Sequence, residues 1–117
     1  MPIDEFNKID EEFFDTILEE DFSFEGSIKV KDSIIIKGYI KGKLESEGTV
    51  VVGPNSVVDA DIISKNLQCF GKINGNIIAE EEIVLHSPSV INGDITTKSM
   101  NFEKGCILNG RVQMNKT

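Results

Sequence analysis

The stretch Ile73-Asn74-Gly75-Asn76-Ile77 decides how this chain is read. Asn-Gly tolerates φ > 0 at both positions, and between apolar flanks it is the strongest short-range signal for a two-residue hairpin. The pattern returns as Ile91-Asn92-Gly93-Asp94-Ile95 and as Leu108-Asn109-Gly110-Arg111-Val112. Looser copies precede it at Phe24–Ile28, Ile40–Leu44 and Val58–Ile62. The central small residues are Gly26, Gly42, Ala60, Gly75, Gly93 and Gly110, spaced 15 to 18 residues apart.

A hairpin fits this series poorly. It opposes Ile73 to Asn76, an apolar residue to a polar one. Three copies replace the Asn by Glu25, Lys41 or Asp59, and one replaces the Gly by Ala60. A type I′ turn selects against Lys and Ala at those positions. What persists is apolar–polar–small–polar–apolar, the period-2 signature of a strand with one buried face. On this reading the small residue points inward and lets the backbone approach the opposite wall.

Two further columns keep the same beat. Ile34/Ile36, Val50/Val52, Leu67/Cys69, Ile83/Leu85 and Met100/Phe102 recur every 16 or 17 residues. Val30, Ser46, Ser64, Ala79, Thr97 and Met114 follow the small residues. Length variation collects at one corner, where the gap from Cys69 to Ile73 is four residues and that from Leu85 to Ile91 is six. Six units that cannot bury an apolar face alone, with insertions at one corner, predict stacked β coils. The expected fold is all-β, a right-handed three-sided β-helix (solenoid) of about six coils. A left-handed hexapeptide helix repeats an aliphatic residue every six positions, and this chain does not.

Composition divides the chain. Residues 1–25 carry a net −9 and residues 26–117 a net +1, which together make the −8 of the whole. Five of the seven Phe lie in the first part and all ten Gly in the second. The expected organisation is an acidic N-terminal segment over 1–23, helical or disordered, a β-helix domain over 24–114, and a short tail over 115–117. Ile3, Phe6, Ile9, Phe13, Ile17 and Leu18 approximate helical spacing with acids between them, and Phe6, Ile9, Phe13, Phe14, Ile17 and Leu18 are the candidate partner or capping residues. Three readings of this segment stay open: a cap on the first coil, a partner-docking tail, or disorder. Its acidity disfavours a membrane surface. With no basic leader and no run of eighteen apolar residues, the expected compartment is the cytoplasm.

Chemistry-bearing motifs are scarce. Gly38–Leu44 lacks the four-residue gap and the Ser or Thr of a phosphate-binding loop. His86 is the lone histidine and reads as a solvated corner residue. Cys69 and Cys106 have no companion ligands, so no metal or other cofactor is expected. An acidic chain without a basic, aromatic-interleaved stripe is not expected to bind nucleic acid.

A β-helix has two open ends, and open edges must be capped or paired. The expected C-terminal contact surface is Met100, Phe102, Leu108, Val112 and Met114. The expected N-terminal contact surface, or cap site, is Phe22, Phe24, Ile28 and Val30. End-to-end assembly follows from such surfaces, without polarity if like ends meet and with polarity if unlike ends meet.

The runs "GYIKGKL", "DADIIS", "GKINGNIIA" and "INGDITTKSMNFEKGCILNGRV" resemble the bactofilin family of bacterial polymer-forming cytoskeletal proteins, over about residues 24–114. The resemblance implies a right-handed β-helix that polymerises through its terminal coils without nucleotide or metal. It implies a non-enzymatic scaffold for cell shape, which positions cell-wall or other envelope-associated proteins and reaches the inner face of the membrane through them. It also places Phe102 in an end-to-end contact. Many members carry a short apolar membrane motif at the N-terminus, and here that segment is acidic. Two rivals remain: a left-handed β-helix enzyme of the acyltransferase or carbonic-anhydrase type, and a capped, non-polymerising adaptor.

Overall fold

The computed structural model describes residues 16–114, and all of their regular structure is strand. Twelve strands run in order: Thr16–Leu18 (β1), Ser23–Val30 (β2), Ile34–Ile36 (β3), Tyr39–Ser46 (β4), Thr49–Val52 (β5), Val57–Cys69 (β6), Lys72–Asn74 (β7), Ile77–Leu85 (β8), Val90–Asn92 (β9), Ile95–Phe102 (β10), Ile107–Asn109 (β11) and Val112–Met114 (β12). Every pairing among them is parallel, and partners lie about one repeat apart in sequence. That is the geometry of a solenoid, in which each coil hydrogen-bonds to the coils above and below.

The pairings resolve into three faces. The first stacks β1, β3, β5 and the ends of β6, β8 and β10. The second stacks the starts of β2, β4 and β6 and then β7, β9 and β11. The third stacks the ends of β2 and β4, the middle of β6, the starts of β8 and β10, and β12. The result is a parallel β-solenoid of about six turns.

The interior holds four apolar columns: Ile34, Val50, Leu67, Ile83 and Met100 on the first face, and three more. One is Leu18, Ile36, Val52, Cys69, Leu85 and Phe102. The second is Phe24, Ile40, Val58, Ile73, Ile91 and Leu108. The third is Ile28, Leu44, Ile62, Ile77, Ile95 and Val112. Members in the middle coils are fully buried and form one contiguous core. β-branched side chains suit such a stack, because their stiff χ1 packs well on a pleated surface.

Two expectations need correction. The helical spacing read through Ile17 and Leu18 gives way to strand, because β1 pairs in register with β3, Leu18 opposite Ile36. The first coil therefore begins at Thr16, inside the stretch assigned to the N-terminal segment. Parallel pairing on an existing apolar column outweighed a weak 3–4 period. Phe6, Ile9, Phe13 and Phe14 lie outside the described residues.

The second correction concerns the small residue. Gly42, Gly75, Gly93 and Gly110 are not inward strand positions facing an opposite wall. They sit at corners with φ between +129° and +154°. A Cβ on any of the four would collide with the backbone carbonyl oxygen of the small residue one coil earlier. The glycines let successive corners nest on one another. Ala60 is the exception: its φ is not positive, so a Cβ is tolerated at that corner.

Candidate functional site

Among the described residues, the sides of the solenoid are closed by hydrogen bonds and the ends are not. The Asn and Asp of the repeat explain part of the closure. The Asn74 amide donates to Asp59 Oδ1 (2.5 Å), that of Asn92 to Asn74 Oδ1 (2.8 Å), and that of Asn109 to Asn92 Oδ1 (2.8 Å). On the other side of the glycine, Asp61, Asn76 and Asp94 accept backbone N–H bonds from Asn76, Asp94 and Arg111 at 2.9–3.1 Å. Each coil thus presents its side-chain acceptor to the next. At the start of the first ladder, Tyr39 O–H donates to Asp59 Oδ2 (2.9 Å). The Asn74 bond, and next the Tyr39 bond, hold the Asp59 carboxyl below its ordinary value. The same hydrogen bond raises the Tyr39 phenol above its own.

The expected C-terminal residues come together in the last coil. Phe102 is 68% exposed, and Val112 and Met114 are also exposed. Met100 and Leu108 are half-buried and pack on the core. Ile107, which the sequence reading missed, is 52% exposed on the outside of β11. Its signal was the apolar pair Ile107-Leu108, one residue turned in and the other out. Among the described residues, the last coil's strands pair only with the coil before them: β11 with β9, β12 with β10, and the end of β10 with β8. The free edge of each carries unpaired main-chain donors and acceptors beside an exposed apolar layer.

The first coil has the complementary edge, with β1 paired to β3 and β2 to β4. Its expected residues Phe24, Ile28 and Val30 are half-buried, and Phe22 is exposed. Phe22 and Phe24 stack with ring centroids 6.3 Å apart. Of the segment assigned to capping or partner docking, Ile17 and Leu18 belong to this coil.

The chemistry-bearing candidates are structural. His86 is not a solvated corner residue. Its ring stacks on Phe70 (centroids 4.2 Å), Nε2 lies 3.2 Å from Gln68 Oε1, and Nδ1 lies 3.5 Å from Glu103 Oε2. Burial pushes the Cys69 thiol up to about 12, so it is not a nucleophile at neutral pH. Among the described residues no three His, Cys, Asp or Glu gather as a metal site, and no helix is long and apolar enough to cross a membrane.

A parallel solenoid whose end coils carry, among the described residues, unpaired strand edges defines a class: structural repeat proteins built by stacking coils. The family comparison is specific. The model of the bactofilin family, polymer-forming cytoskeletal proteins, matches residues 16–113, and the chain belongs to that family. It is accordingly a structural cytoskeletal protein and not an enzyme. The fold is similar to that of Thermus thermophilus bactofilin in its double helical filaments, reconstructed by cryo-EM. The TM-score is 0.81 at 23% identity, over 86% of this chain and 99% of that one. It is also similar to the cytoskeletal bactofilin BacA determined by solid-state NMR, with a TM-score of 0.73 at 22% identity over 86% and 96%. No curated protein matches the chain.

Proposed function

We propose that this chain is a scaffold that assembles end to end into filaments through its terminal coils, without nucleotide or metal. The observation that carries the reading is the last coil, where Phe102 stands 68% exposed beside unpaired strand edges. A Phe in that setting costs solubility unless a partner covers it. The partner with matching strand spacing is another copy. Contact between like ends is favoured over head-to-tail stacking. Head to tail, Asn109 meets Glu25, the residue at its ladder position in the first coil, and a carboxylate offers no donor to the Asn109 carbonyl.

In the cell, such a filament serves as a cytoplasmic scaffold for cell shape. It positions envelope-associated proteins and reaches the inner face of the membrane through them. The family membership supports the scaffold role. Negative-stain microscopy of the purified full chain, without nucleotide, tests the assembly. Filaments are expected. Discrete particles across salt and pH would count against the filament and favour the capped adaptor.

A further inference from the structure

The third face carries an ordered pattern of charge around an exposed aliphatic. Its outward centre row, one residue per coil, is Lys29, Glu45, Ile63, Ile78, Thr96 and Gln113. Ile78 is 45% exposed in the middle of that row, beside half-buried Ile63. Two positions before the row, from the second coil to the sixth, stand Lys43, Asp61, Asn76, Asp94 and Arg111. Two positions after it, from the first coil to the fifth, stand Lys31, Glu47, Lys65, Glu80 and Lys98. Both flanks are exposed throughout. On the second face, by contrast, Asp59, Asn74, Asn92 and Asn109 are engaged in their own ladder.

We propose that the third face docks on the third face of a second copy, with the two rods antiparallel about a two-fold axis between the third and fourth coils. That operation sets coil three on coil four, coil two on coil five and coil one on coil six. Ile63 then covers the partner's Ile78. Lys43 meets the partner's Asp94, Glu47 the partner's Lys98 and Lys65 the partner's Glu80, each twice by symmetry, and no like charges meet. Neighbouring arrangements lose this match. A slip of one coil sets Asp61 on Asp94 and Lys65 on Lys98. The opposite slip sets Glu47 on Glu80 and Lys31 on Lys98. Parallel rods in register set Glu45 on Glu45 and Lys29 on Lys29. Within the chain, Lys43, Lys65 and Arg111 lie 3.3, 3.5 and 3.8 Å from Glu45, Glu81 and Asp94. Exposed ion pairs are weak and exchange partners at little cost.

The footprint is about 24 Å by about 13 Å, roughly 300 Å². A stable interface takes about 800 Å² from each partner, so one contact is weak and many along two filaments are strong. The inference rests to that extent on end-to-end assembly. Like-end contacts alternate the direction of successive rods, so each rod can face an antiparallel neighbour in the next filament.

Cross-linking of the full chain under assembly conditions tests this, with microscopy of the same sample. In a Cys106→Ser background, chains carrying Glu45→Cys are mixed with chains carrying Thr96→Cys and treated with a short bismaleimide, while Cys69 stays silent in the core. Head-to-tail ends bring these positions no closer than three coil spacings, about 14 Å. Cross-linked dimer from the mixture should exceed that from either chain alone by at least about fivefold. Glu47→Lys in both chains should cut the yield roughly threefold or more, Lys98→Glu likewise, and the two together should restore it. Filaments without the mixed cross-link, dimer formed mainly within one species, or a double swap that fails to restore the yield overturns the lateral pairing alone. The mixed cross-link without filaments supports the pairing and overturns end-to-end assembly. Absence of both overturns both.

Discussion

The last coil and the first coil share the same inward columns, yet they bare different amounts of apolar surface. Phe102, Val112 and Met114 are exposed where Leu18, Ile28 and Val30, their column-mates, are half-buried. The difference does not lie in the repeat, which is the same at both ends. It lies in what the chain does beyond the repeat. Before β2, the turn at Glu19–Phe22 closes with Phe22 N–H donating to the Glu19 carbonyl (3.0 Å), and Phe22 stacks on Phe24. At the other end the described strands stop at Met114. The C-terminal coil therefore bares the more apolar surface, and the first coil is partly self-covered.

The largest expected effect breaks this contrast at its strong side. Burial of a Phe is worth about 2 kcal/mol or more. Phe102→Arg should therefore raise the critical concentration for assembly by roughly 30-fold or more, with the β circular-dichroism signal unchanged. Ile28→Arg, at the self-covered end, should raise it by no more than about tenfold. Sedimentation across a concentration series measures both. Equal effects would mean that the two ends contribute alike and that exposure is a poor guide to adhesion here.

Both ends depend on the corners that hold the coils in register. Gly93→Ala places a Cβ against the Gly75 carbonyl oxygen at φ +154°, and should cost about 2 kcal/mol in urea unfolding. Ala60→Gly, at the corner whose φ is not positive, should change stability by less than about 1 kcal/mol. Similar losses at the two sites would show that the corners are governed by something other than close backbone approach.

The smallest effect is electrostatic. The Asp59 carboxyl is held below its ordinary value, first by the Asn74 amide and then by Tyr39. A depressed folded pKa contributes stability that is present above the unfolded pKa and lost as pH falls through the folded one. The thermal midpoint should drop from about pH 5 toward about pH 2. Asp59→Asn still accepts from Asn74 and should give a slightly shallower drop. An identical acid profile for the variant would remove Asp59 as a contributor.

Much of this was legible in the residues. The columns through Ile36, Ile73 and Ile77 could be read because side chains alternate strictly along a strand, and a repeat near 17 residues lines them up coil on coil. The last-coil residues Met100, Phe102, Leu108, Val112 and Met114 could be placed together for the same reason. The first rung was hidden, because Thr16 and Leu18 form a single weak pair inside a segment with 3–4 spacing. The corner role of the glycines was hidden too, since φ > 0 and a strand position both select Gly. The ladder from Asp59 to Asn109 joins residues 15 to 18 apart and needs the coil pitch to be seen.

By itself, the sequence determined which side chains point into the solenoid and which point out, because that depends only on local alternation and on the repeat. The tertiary structure alone decided which outward residues are dry. Ile35 and Ile78 are the same residue type on the same kind of strand, and one is 0% and the other 45% exposed. Burial on the outside depends on what crosses the face, and no local pattern of residues encodes that.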